Sequence, residues 1–172
     1  MEDLEKIDKG IHHVMEIIGF LIQNMGSNDQ ICQFIGQNIL PIYAQTLLNI
    51  SDKKDYELVD AVCMICDCME HGNEQLFQQI YGQASTKFIE LVHYAASDKE
   101  DLKYDLLQSC IFGLGIIAQR LPLGKFSHLQ ETLQILNLTC RQEKKDIDED
   151  ERYSLDMLKD NSISTLAKLV FF

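Results

Sequence analysis

One helix-like segment occurs four times in this chain at nearly constant spacing. The copies begin at His12, Asp60, Gln108 and Asp160, so the successive offsets are 48, 48 and 52 residues. One column of this register holds small or polar residues, namely Gly19, Asp67, Gly115 and Ala167, and the column two positions earlier holds Ile17, Ile65, Gly113 and Thr165. A unit of this length built from paired helices is typical of a solenoid, which usually works through an extended binding surface.

Apolar residues recur at intervals of three and four along most of the chain, and no segment alternates with a period of two. This pattern predicts helices and no strand. We expect seven helices, at about 4–24, 29–49, 56–71, 74–96, 101–120, 126–141 and 155–172. Gly26 is the expected stop of the first helix, because glycine often follows a helix C-terminus.

Several local signals predict interruptions and caps. Pro41 predicts a bend or break near Leu40, and Gly82 makes a break in the fourth helix plausible. The stretch Ser97–Glu100 resembles a capping box for the fifth helix, with Ser97 or Asp98 as N-cap. The segment 143–152 has one apolar residue in ten, so we expect an exposed loop that accounts for the longer last offset.

The predicted fold class is all-α, an α-α superhelix of three and a half helical repeats in a single domain, 1–172. The expected units are a half repeat at 1–25 and helix pairs at 29–72, 74–122 and 125–172. The last helix ends on an apolar sequence, whereas a solenoid normally closes with a polar cap. We therefore expect both ends to have been cut from a longer array.

The charge balance limits the classes of partner. The formal net charge is −12, and phosphate binding needs a basic face, so we expect no nucleic acid as a direct partner. A basic protein or peptide is the more natural partner, the alternative being that acidity serves only solubility. No run of about 18 uncharged apolar residues is present, so we expect no membrane partner. No apolar signal segment opens the chain either, so we expect the six cysteines to be reduced and intracellular.

Three blocks of the sequence resemble the importin-beta superfamily of nuclear import receptors. The block 104–119 is similar to an inner helix of a HEAT repeat in that family, with Gly-Leu-Gly, two apolar residues and Ala-Gln. The block 160–168 resembles the next inner helix, and 66–72 resembles the end of the preceding one. The best match is the C-terminal half of the branch that imports ribosomal proteins and histones.

This resemblance implies a HEAT-repeat solenoid that binds cargo on its inner helices and nucleoporin Phe-Gly repeats between its outer helices. It further implies a role in Ran-dependent protein import, with Ran-GTP as a partner of the full-length receptor. The expected location is the cytoplasm, the nucleus and the nuclear pore. The alternative function is a HEAT-repeat scaffold for a multiprotein complex, of the kind found in phosphatases.

Polar residues on the predicted inner helices are the candidates for binding a basic cargo. They are Asp67, Glu70, Gln108, Gln119, Asp160 and Asn161. Their carboxylate and amide oxygens accept hydrogen bonds, and asparagine can both donate to and accept from a peptide backbone. The alternative for each is a solvated surface position or a hydrogen bond between helices of the stack.

A cluster of cysteines is the other local candidate for chemistry. The spacing of Cys63, Cys66 and Cys68 would suit zinc binding or thiol exchange, which is the basis of an enzyme hypothesis. In the repeat register, however, Cys63 is equivalent to Ile111 and Cys66 to Leu114, which favours packing. We expect no catalytic residue, no metal and no cofactor.

Overall fold

The computed structural model describes residues 17–24, 28–48, 50, 53–97, 102–143 and 148–171, and every structural statement below concerns these residues. They form seven helices and no strand. The helices are α1 (17–24), α2 (Asp29–Phe34, Ile35–Ile39 and Leu40–Leu48 in one run), α3 (Asp55–His71), α4 (Glu74–Ala95), α5 (Tyr104–Arg120), α6 (Leu129–Cys140) and α7 (Glu149–Phe171). The predicted all-α fold of packed, repeating helices is confirmed.

The helices lie in two layers. The odd layer consists of α1, α3, α5 and α7, and the even layer consists of α2, α4 and α6. In the odd layer, α5 packs between α3 and α7, and in the even layer α2 packs on α3, α4 on α3 and α5, and α6 on α7. Each even helix therefore covers the side of an odd helix that would otherwise expose an apolar stripe. Such layered packing is the usual way for amphipathic helices to share one core.

Helix α5 lies at the centre of the core and is apolar around most of its circumference. Its two mid-helix glycines are buried where neighbouring helices come close. A Cβ atom on Gly113 would lie 2.8 Å from the Cys66 sulfur of α3, and one on Gly115 would lie 2.6 Å from Thr165 Oγ1 of α7. Close packing thus offsets the helix-propensity cost of about 1 kcal/mol for each glycine.

Arg120 ties the end of α5 to the turn between α3 and α4. Its guanidinium donates to the carbonyl oxygens of Met69 and Gly72, the latter at 3.1 Å, and to Glu74 Oε2 at 3.1 Å. The same group lies over the Phe77 ring, 4.4 Å from its centroid. One side chain therefore satisfies carbonyls at the C-terminal end of α3 that have no partner within the helix.

Of the two predicted helix interruptions, the one near Leu40 is present and the one at Gly82 is absent. Before Pro41 the backbone forms a π-helical turn, in which the Leu40 N–H bonds to the Ile35 carbonyl, and the helix then continues to Leu48. This turn accommodates a residue that has no N–H of its own. Helix α4 runs without interruption through Gly82. The interruption predicted near Leu40 is therefore present as a π-helical segment, whereas the break predicted at Gly82 was wrong because the helix on both sides tolerates one glycine.

Two predicted helix starts were also wrong. Helix α5 begins at Tyr104, preceded by Lys103, while the Ser97 hydroxyl donates to the Tyr94 carbonyl at the end of α4. Helix α7 begins at Glu149, inside the segment predicted as a loop. Acidic side chains in a first turn are favourable near the positive end of the helix dipole, and Asp148 Oδ1 accepts from the Glu151 N–H at 2.8 Å.

Some expectations fall outside the described residues. These are the first helix before residue 17, its expected stop at Gly26, the other expected N-cap at Asp98, and part of the acidic segment at 144–147. The boundary of the half repeat at residue 25 lies outside them as well.

Candidate functional site

All six predicted cargo-binding residues lie on the odd layer. Glu70 of α3, Gln119 of α5 and Asp160 of α7 are exposed, whereas Asp67, Gln108 and Asn161 are half-buried. The exposed three present polar atoms to solvent on three successive helices of one layer. None of the three lies in the lining of the described cavities.

Two of the half-buried residues make hydrogen bonds between helices. Gln23 Nε2 of α1 donates to Asp67 Oδ1 at 3.4 Å, and Gln108 Nε2 of α5 donates to the Ser154 carbonyl of α7 at 3.1 Å. Burial raises the pKa of the Asp67 carboxyl, while the hydrogen bond from Gln23 acts in the opposite direction. These side chains join neighbouring helices of the stack.

An acidic crevice on the odd layer was missed by the sequence reasoning. It has a volume of about 480 Å³ and includes Asp55, Asp60 and Asp105 in its lining. Lys103 Nζ lies 2.6 Å from Asp55 Oδ2, so part of the negative charge is balanced within the crevice. The sequence carried only a weak signal for it, since acidic residues in first helical turns are common for reasons of local stability.

The three cysteines lie on α3, with Cys63 and Cys66 facing α5 and Cys68 facing Cys32 of α2. Cys66 and Cys68 are buried, and Cys63 is exposed with its sulfur 3.6 Å from Ser109 Oγ. Burial raises the pKa of Cys63, raises that of Cys66 well above its ordinary value and raises that of Cys68 to about 12. These shifts disfavour the thiolate form, which is the nucleophile and the metal ligand. Packing is therefore the role that the surroundings of these thiols support.

An apolar groove separates two neighbouring helices of the even layer, α2 and α4. Its volume is about 680 Å³. The α2 wall carries Leu40, Pro41, Ala44, Leu47 and Leu48, and the α4 wall carries Ile80, Gly82, Ala84 and Lys87 with Glu90. Small residues on both walls leave the groove wide. We refer to it as the α2–α4 groove.

Gly82 and the π-helical turn of α2 shape this groove. A Cβ atom on Gly82 would meet no other atom within 4 Å, so the α4 wall is open at that point. The sequence marked both Pro41 and Gly82 as helix breakers, but in the structure both residues line the groove. Their role in the groove depends on the distance between two helices, which periodicity does not reveal.

Beside the groove lies a polar section lined by side-chain amides. This section has a volume of about 540 Å³, and five glutamines line it: Gln30, Gln33, Gln37, Gln75 and Gln79. Gln79 also lines the apolar part, so the two sections lie next to each other. An amide side chain offers both a donor and an acceptor, which suits contact with a peptide backbone.

The next gap in the even layer, between α4 and α6, is bridged by polar side chains. His93 Nε2 lies 3.0 Å from Glu131 Oε1, and His128 Nδ1 lies 3.6 Å from Glu131 Oε2. His128 Nε2 lies 3.1 Å from Thr86 Oγ1. The hydrogen bond with His93 lowers the pKa of the Glu131 carboxyl, and His128 acts in the same direction. The gap between α2 and α4 is therefore lined mainly by apolar side chains, whereas these contacts across the gap between α4 and α6 are polar.

Comparison with protein-family models, curated proteins and solved structures finds no match for this chain.

Two further features are absent from the described residues. No group of three or more His, Cys, Asp or Glu residues is arranged to hold a metal ion. No helix in the described part of the chain has the length and apolar character needed to cross a membrane.

Proposed function

We propose that this chain is a protein-binding helical-repeat module of a nuclear import receptor, acting in Ran-dependent transport between cytoplasm and nucleus. The observation that carries the proposal is the apolar α2–α4 groove between neighbouring helices of one layer. The resemblance of the blocks at 66–72, 104–119 and 160–168 to HEAT repeats of importin-beta receptors gives the groove its expected occupant. That occupant is the aromatic side chain of a nucleoporin Phe-Gly repeat.

The groove has the properties that such a ligand needs. Its volume of about 680 Å³ accommodates a phenylalanine ring, and its walls are mainly aliphatic. Full burial of one phenylalanine contributes about 1.5–3 kcal/mol, so a single contact is weak. The glutamine-lined section beside it offers hydrogen bonds to the flanking backbone. Weak sites of this kind gain affinity when a ligand repeats its motif.

The odd layer is the proposed cargo surface. Glu70, Gln119 and Asp160 are exposed there, and the chain carries a net charge of −12. A basic cargo, such as a ribosomal protein or a histone, complements this charge. Ran-GTP is a proposed partner of the full-length receptor.

Titration of the labelled protein with a Phe-Gly peptide, followed by NMR chemical shifts, tests the groove. We expect shifts that concentrate on α2 and α4, and none with a Ser-Gly peptide of equal length. Gly82→Leu fills the open wall and should weaken binding by at least about tenfold, or about 1.4 kcal/mol. The replacement of a helical glycine by leucine also favours folding, so lost binding will not reflect unfolding.

Gly124→Leu is the matched control, because a Cβ atom there also meets nothing within 4 Å and the residue lies outside the groove. Unchanged affinity in Gly82→Leu, or the absence of shifts at millimolar peptide, would overturn the proposed Phe-Gly site. Binding of other proteins without any Phe-Gly binding would instead favour the scaffold alternative.

Capture of a basic nuclear-localisation peptide tests the cargo surface. Asp160→Lys should reduce the affinity several-fold and flatten its dependence on salt. Glu90→Lys makes the same change of charge on the even layer and should leave the affinity nearly unchanged. Equal losses in the two variants would show that only the net charge matters and that the odd layer is not the cargo site.

A further inference from the structure

Five glutamine side chains line one cavity at the beginning of the gap between α2 and α4. This cavity is the polar section beside the α2–α4 groove, and the five are Gln30, Gln33 and Gln37 of α2 with Gln75 and Gln79 of α4. All five are exposed, and within the described part of the chain none of their side-chain amides hydrogen-bonds to another group. Their donors and acceptors therefore remain available to a ligand. We refer to the two sets as the glutamine rows of α2 and α4.

The helices α2 and α4 run in the same direction along this gap. The polar section is lined by the beginnings of both helices, whereas the apolar groove is lined by later residues of both, up to Leu48 and Glu90. At the beginnings, Asn73 Nδ2 donates to Asp29 Oδ1 at 2.6 Å, which joins the start of α4 to the start of α2. A ligand that extends along the gap therefore passes from an aliphatic section to one lined by amides.

Gln79 lies where the two sections meet. It lines both of them, and a Cβ atom on Gly36 of α2 would lie 3.2 Å from its Oε1 atom, so this amide reaches across to α2. Gly82, at the open wall of the groove, follows Gln79 by three residues, a rise of about 4.5 Å along the helix. Because an extended chain advances by about 3.3 Å per residue, the residues next to a ring held at Gly82 lie beside Gln79.

The spacing of the α4 glutamine row matches the repeat of an extended backbone. Gln75 and Gln79 are four residues apart in the helix, a rise of about 6 Å. Two residues of an extended chain span about 6.6 Å, and the N–H and C=O groups on one of its edges recur with that period. Successive glutamines of α4 therefore match alternate residues of an extended ligand, and the α2 row faces the intervening residues on its other edge.

We propose that the glutamine rows bind the backbone of an extended segment next to the phenylalanine that occupies the α2–α4 groove. This proposal rests on the proposed function for its anchor and adds a requirement on the ligand. A side-chain amide donates to a peptide carbonyl and accepts from a peptide N–H, whatever side chain the ligand residue carries. The bound segment must therefore keep its backbone N–H groups, so proline is excluded from it on that side of the phenylalanine.

A scan of N-methyl groups along the peptide tests the proposal. The probe is a peptide with one Phe-Gly unit in a Gly-Ser sequence, and the peptide nitrogens on both sides of the phenylalanine are methylated one at a time. NMR titration of the labelled protein measures the affinity of each peptide. We expect methylation to weaken binding about three- to tenfold on one side of the phenylalanine, the effect of one lost hydrogen bond, and to leave binding unchanged on the other side.

Gln75→Met and Gln33→Met remove one amide from each row at nearly constant side-chain length. Each variant should bind the unmethylated peptide about three- to tenfold more weakly and should be insensitive to methylation at the nitrogen that its own amide contacts. Nitrogens coupled to Gln75 should alternate with those coupled to Gln33. Gln45→Met is the matched control and should bind like the wild type, because Gln45 is an exposed glutamine of α2 that lines neither section. Circular dichroism will verify that all three variants fold.

Equal affinity for all methylated peptides, or unchanged affinity in both Gln75→Met and Gln33→Met, overturns this proposal and leaves the proposed Phe-Gly site intact. An equal loss in Gln45→Met overturns it as well, because the effect would then not come from the gap between α2 and α4. A chain that binds no Phe-Gly peptide overturns the proposed function and, with it, the anchor of this proposal. Binding of the unmethylated peptide therefore distinguishes the two failures.

Discussion

Helices α5 and α7 carry apolar residues at equivalent repeat positions but bury them to different extents. Ile111 and Leu114 of α5 are fully buried, whereas their equivalents Ile163 and Leu166 of α7 are 57% and 38% exposed. The residue types are the same in both pairs. Burial is therefore decided by whether a neighbouring helix covers the column. Equivalent substitutions in the two helices separate the contribution of residue type to stability from the contribution of the neighbouring helix.

The largest expected difference is between Ile111→Ala and Ile163→Ala. Removal of the buried Ile111 side chain leaves a cavity between helices, and we expect it to lower the free energy of unfolding by about 3–4 kcal/mol. The same change at exposed Ile163 should stay within about 0.5 kcal/mol. Urea unfolding followed by circular dichroism measures both. Equal losses at the two positions would mean that Ile163 is covered in solution.

Gly115→Leu and Ala167→Leu sharpen the comparison at the small-residue column. A side chain on Gly115 begins 2.6 Å from Thr165 Oγ1, so Leu must push α7 away from α5. Overpacking of this kind should cost about 2–3 kcal/mol. Leu at exposed position 167 should change stability by less than about 0.5 kcal/mol. A Gly115→Leu chain as stable as the wild type would contradict the close approach of the two helices.

A smaller effect is expected from Thr165→Val, which removes one hydroxyl from the α5–α7 contact at nearly constant volume. The lost hydrogen bond to the Ile111 carbonyl should cost about 1 kcal/mol. Ser164→Ala removes a hydroxyl from the adjacent exposed position and serves as the control. In thermal unfolding, the midpoint temperature of Thr165→Val should be clearly lower than that of Ser164→Ala. The reverse order would show that the Thr165 hydroxyl does not stabilise the α5–α7 contact.

The smallest effect concerns Asp67, which occupies the column of Gly115 but carries a carboxyl group. Burial raises the pKa of Asp67, so the folded chain holds this proton more tightly than the unfolded chain does. The contribution of the group to stability is therefore greatest at low pH and falls as the pH rises through the raised pKa. Asp67→Asn should slightly stabilise the protein at neutral pH and lose that advantage below the ordinary pKa of aspartate. A pH series of urea midpoints tests this, and an Asn variant that is less stable at neutral pH would contradict it.

Much of the fold was predictable because helical periodicity is a local property. The apolar intervals of α3, α4 and α5 set their extents to within a few residues, and only the start of α5 was wrong by as many as three. Predictions were wrong where the stability of the whole helix outweighed the preference of a single residue. Helix α4 continues through Gly82, and the acidic residues before Leu155 joined α7 because helix termini favour negative charge in the first turn.

The candidate surfaces were less predictable. Periodicity placed Asp67 and Gln108 on the odd layer but gave no sign that both would bond to neighbouring helices. The α2–α4 groove depends on the spacing between two helices whose facing residues are more than thirty positions apart in the chain. No short motif encodes such a distance.

The sequence by itself determined seven helices, their repeat register and the column of small residues at which helices approach one another. These follow from side-chain size and from the angular period of a single helix. Only the tertiary structure decided which equivalent columns are covered, which polar side chains are used within the stack and where a groove opens. Those outcomes depend on which helix lies beside which, because burial and hydrogen bonding are properties of neighbouring surfaces and not of one segment.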